Sequence, residues 1–247
     1  MARLLCCFYS VVALHSLLVR IGSGFTTIGV THRARTTSIP SQSVAVNQNS
    51  VDTIVEVLDK AVQNDSTPPP DALFARLEQS NPTREPCRQP GILGEWHVWY
   101  TDCPPPSNGQ LGPFQGTVSQ YINENGTYEN RLCVGGTNQW ITSTLEGTWE
   151  EWDGTLVSGD EETGDAGSAE RETATGIDWG AAHTKVTFRT VEICVLGLRL
   201  FQMQFPPNTC RIWRTTYLDD DIRLLRAGRT GKREDESVFY TKRTAMS

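Results

Sequence analysis

The chain has 247 residues, 38% of them hydrophobic, a formal net charge of −7 and seven Trp, which is many for this size. All 29 acidic residues follow Val51 whereas four Arg precede it, so the chain beyond residue 50 carries −11. A body that acidic argues against nucleic acid and against simple electrostatic docking on anionic membranes, which leaves apolar surface or a cavity as the route to any lipid.

Arg3 precedes an apolar run from Leu4 to Val19 that Ser10, His15 and Ser16 interrupt. It falls short of a membrane span. With Gly22, Ser23 and Gly24 behind it, residues 1–24 read as a signal peptide. Phe25 to Ser50 holds Arg33, Arg35 and nine Ser or Thr with no acidic residue, which is transit-peptide composition. The two in series, with Phe25 at the junction, resemble the bipartite presequences of algae whose plastids sit inside extra membranes. The alternative is a secretory signal followed by a linker.

A helix is predicted from Val51 to Asn64, where Ile54, Val55, Leu58, Ala61 and Val62 recur at helical spacing, until Pro68-Pro69-Pro70 stops the chain. A second runs from Asp71, a capping residue, to Gln79, with Leu73, Phe74 and Leu77 on its apolar face. Residues 51–80 are thus a helical extension packed over one end of the domain that follows.

From Gly94 the period changes to two. Glu95 to Thr101 places Trp96, Val98 and Tyr100 on one face. Thr117–Asn123 and Thr127–Val134 form a hairpin around Asn123-Glu124-Asn125-Gly126. Further strands are predicted at Gln139–Trp149, Lys185–Val195, Leu198–Phe205, Arg211–Leu218, Ile222–Ala227 and Ser237–Lys242. About nine short strands without an intervening helix make residues 91–243 a mainly β domain, a barrel or sandwich of antiparallel strands. Closing the sheet removes its unpaired edges. Cys103 to Phe114 is a stiff Pro- and Gly-rich loop at one rim, and Gly159 to Thr175 is an acidic insertion with nothing large to bury. The five cysteines after residue 50 show no CxxC spacing, and their separation along strands favours free thiols.

Gly94-Glu95-Trp96 opens the first strand as a GxW does in lipocalin-like barrels. Tyr100-Thr101-Asp102 and Ser107-Asn108-Gly109 follow. Near the end stand Thr216-Tyr217-Leu218-Asp219-Asp220-Asp221-Ile222-Arg223 and Arg226-Ala227-Gly228-Arg229. Together these resemble the plastid lipid-associated proteins, or fibrillins, over roughly Val51 to Arg243. The resemblance implies a single lipocalin-like barrel, residence at plastoglobules or thylakoids, and binding of apolar lipids or prenylquinones, with no cofactor.

Physically, Gly94, Trp96, Tyr217, Asp219, Asp221 and Arg223 read as structural. Trp96 plugs a closed end, Arg223 stacks on its indole and bonds carbonyls there, and the three Asp form a turn rather than a metal site. Trp140, Phe188, Leu200 and Ile212 are candidates for an apolar lining. The opposite strand faces, with Phe201 and Trp213, are apolar too, so inside is not separable from outside; strands apolar on both faces need a covering helix or a lipid surface. No HExxH, GxSxG, Walker loop or GxGxxG-to-helix pattern is present. His97 falls on a strand surface, and Cys133 lacks a base. The expected function is therefore a non-enzymatic lipid binder of the plastid. A chromophore lyase on a lipocalin-like barrel and a ligand-free scaffold of a membrane assembly are the alternatives.

Overall fold

The computed structural model describes residues 48–63, 71–154, 178–229 and 233–243. The first targeting segment, the second up to residue 47 and the acidic insertion lie outside the described residues. Helix α1 spans Gln48–Gln63 and α2 spans Asp71–Gln79, so α1 begins three residues ahead of the expected boundary at Val51.

Ten strands follow, one more than expected: β1 Gly94–Thr101, β2 Gln110–Leu111, β3 Phe114–Ile122, β4 Thr127–Val134, β5 Ile141–Glu151, β6 His183–Val195, β7 Leu198–Gln204, β8 Cys210–Leu218, β9 Ile222–Gly228 and β10 Ser237–Lys242. The addition is β2, two residues inside the Pro- and Gly-rich loop. Eight strands close into an antiparallel barrel in the order β1-β10-β9-β8-β6-β5-β4-β3, and β3 returns to β1 through Trp96↔Gln120 and its neighbours. The predicted hairpin joins β3 to β4. Gly126 supplies the positive φ of +79° that the turn needs, and the Asn125 carboxamide oxygen accepts from Thr127 N at 3.0 Å.

Strand β6 is longer than its partner on one side. Its first part, His183–Thr187, pairs with β8; its second, Thr190–Val195, pairs with β7. β7 pairs with no other strand among the described residues, so β6 and β7 run on beyond the ring as a flange.

Two separate cores result. Inside the ring lie Trp96, Ile122, Tyr128, Val186, Trp213, Leu218, Leu225 and Phe239, with Cys87 and Ile92 closing from below. Outside it, Val51, Ile54 and Leu58 of α1 and Phe74 and Leu77 of α2 cover the outer face of β8–β10, where Tyr217, Ile222, Leu224, Val238 and Tyr240 stand. Polar contacts pin the helices there. The Tyr240 hydroxyl donates to Asp59 at 3.1 Å, Lys242 pairs with the same carboxylate, and Arg226 Nε donates to Glu78 at 2.6 Å.

One predicted face is corrected. The β1–β10 register shifts between Val98 and Tyr100, which inserts Trp99 as a bulge residue. Trp96 and Val98 face inward, but Tyr100 is turned outward and stacks on Phe74 at 5.7 Å between ring centroids. Alternation cannot reveal such an extra residue, because its signature is a broken pairing and not a composition.

Candidate apolar site and barrel interior

Directly paired residues share a face of the sheet, so the register tells inside from outside. Trp149↔Val186, Thr184↔Trp213, Thr215↔Leu225 and Thr241↔Arg223 are inward rows. Further along the same face, three rows cross from β5 over β6 to β7: Leu145–Val191–Met203, Ser143–Ile193–Phe201 and Ile141–Val195–Leu198. On the flange these rows have no strand opposite them. Ile193, Val195, Phe201, Met203 and Phe205 are only partly buried. At the tip Leu196, Leu198 and Leu200 are 76%, 69% and 66% exposed.

The four lining candidates do not come together. Phe188 faces inward, 5.8 Å from Phe205, with the Arg211 guanidinium over its ring. Ile212 is buried but pairs with Lys185 and Gly228 on the outward face. Trp140 precedes β5, although the predicted strand Gln139–Trp149 included it. It rests against Gly135 and meets Phe114 edge-on at 5.0 Å; a Cβ on Gly135 would lie 1.9 Å from its ring. Leu200 is an exposed flange residue, the one that the β6–β7 register skips. The phase of a period-two pattern carries no information between strands, and bulges in β6, β7 and β8 reset it.

The structural motif holds with one reassignment. Trp96 is wholly buried, and its indole N–H donates to Ile92 O at 2.8 Å. Asp219 organises the turn before β9: its carboxylate accepts from the Tyr217 hydroxyl at 2.5 Å and from the N–H groups of Asp221 and Ile222 at 2.9 and 2.7 Å. Burial, and then this carboxylate, hold the Tyr217 phenol well above its ordinary pKa. Asp221 contributes its carbonyl, which accepts from Arg243 N at 2.9 Å. Arg223 lies over the Trp96 ring at 5.5 Å, as expected. The carbonyls, however, belong to Arg243, which bonds Leu93 O and Gly91 O and sits closer to the indole, at 4.2 Å. Gly94, with φ +105°, lets that guanidinium pass: a Cβ there would be 3.0 Å from it.

Arg223 instead points into the ring, 1% exposed, and its guanidinium donates to the Gln120 side chain. It makes no ion pair among the described residues, and its Nε has no hydrogen-bond partner. Burial lowers its pKa to about 10. The Tyr128 hydroxyl, on a residue 2% exposed, and the Asn130 carboxamide oxygen are also unpartnered. Tyr128 packs edge-on against Trp213 at 4.9 Å. Sequence reading missed Gln120, Tyr128 and Arg243; the alternation of β3 and β4 with Trp96 would have flagged the first two once the β1–β3 pairing was known.

Around Arg223 and Tyr128 lies a cavity of about 10 Å³, walled by Ile92, Ile122, Trp149, Val186 and Trp213, with the Thr184 and Thr215 side chains at its edge. That is the room of about one water molecule.

No family model matches this chain, and a search of curated proteins finds no match.

Proposed function

We propose that this protein is a non-enzymatic, lipid-associated barrel of the fibrillin type, which meets apolar lipids such as prenylquinones at a plastoglobule or thylakoid surface after delivery to a plastid. One observation carries the reading. The β6–β7 flange is apolar on its inward face and ends in three leucines that are 66–76% exposed. Exposed apolar surface of this kind marks a lipid or protein contact. An acidic body favours an uncharged lipid surface over an anionic one. The motif resemblance points the same way.

A ligand-free scaffold of a plastid membrane assembly is the second reading. It is favoured by the cavity inside the ring, which at about 10 Å³ is far below the size of a lipid body.

Flotation with triolein droplets coated in uncharged lipid separates the two. The wild-type protein is expected to float with the droplets, and the triple variant Leu196→Ser, Leu198→Ser, Leu200→Ser to lose at least about tenfold in partition. Equal flotation of both proteins overturns the flange as the docking element. No flotation of either favours the scaffold.

A further inference from the structure

We propose that the cavity inside the barrel is a carboxylate site, in which Arg223 Nε and the Tyr128 hydroxyl donate to one carboxylate oxygen. It is independent of the flange and stands on different residues.

Three observations lead there. First, the inward-facing strand residues include two cations, Arg211 and Arg223, while their one carboxylate, Glu151, sits at the rim and is bonded to Arg88 at 2.8 Å. A protein of net charge −7 thus keeps a cationic interior. Second, Arg223 is buried without a carboxylate partner. A buried charge is costly unless paired, and its other contacts are a neutral amide and an indole face. Third, two donors that meet no partner, on side chains at least nine-tenths buried, line the same cavity. Unsatisfied buried donors are rare and call for an acceptor. Arg223 Nε can only donate, and the Tyr128 hydroxyl keeps a proton to donate because burial raises the phenol's pKa.

The walls fix the chemical class further. Ile92, Ile122, Val186 and Trp213 give an apolar surround, which disfavours a doubly charged, heavily hydrated ion such as phosphate. The room suffices for one oxygen atom; the rest of the ligand must displace Trp149, the least buried wall, whose indole donates to Asn123 O at 2.9 Å in the β3–β4 turn. The carboxylate can belong to a small free acid or to the head of a long-chain one.

The Tyr128→Phe variant tests this cleanly, because the hydroxyl makes no bond in the protein to lose. The full chain and this variant are compared by thermal shift and calorimetry with acetate, palmitate and palmityl alcohol. The expected result is stabilisation of the wild type by a carboxylate but not by the alcohol. Tyr128→Phe is expected to be as stable as the wild type or more so, and to bind that carboxylate about tenfold or more weakly. A response to acetate identifies a small-acid site; a response to palmitate alone identifies a lipid head. Arg223→Gln should abolish binding, but its fold is at risk, so Tyr128→Phe decides. No shift with either carboxylate, an equal shift with the alcohol, or undiminished binding by Tyr128→Phe overturns the proposal; the cavity then serves water alone.

Discussion

Strands β8–β10 and strands β6–β7 both carry apolar residues that the ring interior does not enclose, yet the fold treats them oppositely. On β8–β10 the outward residues Tyr217, Ile222, Leu224, Val238 and Tyr240 are sealed under α1 and α2. On the flange nothing among the described residues covers Leu198 and Leu200. The covered half therefore carries stability, and the bare half is available for contact. The difference teaches that apolar residues outside a ring state a requirement for cover without saying what meets it. Here α1 and α2 meet one requirement, and the other is not met among the described residues.

The largest effect belongs to the core inside the ring, the reference for both regions. Trp96→Ala should cost about 3–5 kcal/mol in urea unfolding, as removal of a buried aromatic does. A double-mutant cycle with Arg243→Ala should give a coupling of about 0.5–3 kcal/mol, larger than the cycle with Arg223→Ala, because Arg243 lies nearer the ring. Additivity in both cycles would show that the indole holds the barrel floor without either cation.

Leu58→Ala should come next. Its side chain is wholly buried between α1 and the sheet, so the loss should be about 2–5 kcal/mol. Leu198→Ser, on a residue of the same type in the bare half, should stay within about 0.5 kcal/mol. If the two variants unfold at similar urea concentrations, the flange is docked and the comparison fails.

Smaller than either core loss is a pH dependence near the ring's lower rim. His183 packs against Trp152 and Trp179, and burial holds its pKa below the ordinary 6.5. The unfolded chain then takes the proton first. Its contribution is complete above about pH 6.5 and is lost as pH falls through the lowered folded value. Between about pH 7.5 and 5.5 the wild type should lose up to about 1 kcal/mol that His183→Gln does not lose. An identical slope in both proteins would assign the acid sensitivity to other groups.

Much of the architecture was legible in local chemistry. Both helices, the Asn123–Gly126 hairpin, the Asp219 turn and the strand β10 at Ser237–Lys242 follow from spacing and turn residues that act within a few positions of one another. The inward direction of Trp96 and the approach of Arg223 to it were also accessible, through the motif in which they stand. What failed was the lining of the site. Ile212 and Trp213 are adjacent and both buried, one under the outer surface and one inside the ring, and composition does not distinguish them.

The sequence by itself determined the class of the fold, because alternation and turn chemistry are properties of neighbouring residues. It also determined that apolar strands needed cover on both sides. Only the tertiary structure decided which face is the interior, since that depends on register across β3, β1 and β10 and on bulges that shift it. Pairing between distant strands likewise placed an unpaired Arg223 beside the unpartnered Tyr128 hydroxyl and left β7 beyond the ring, because no local pattern encodes which strand a residue will meet across the sheet.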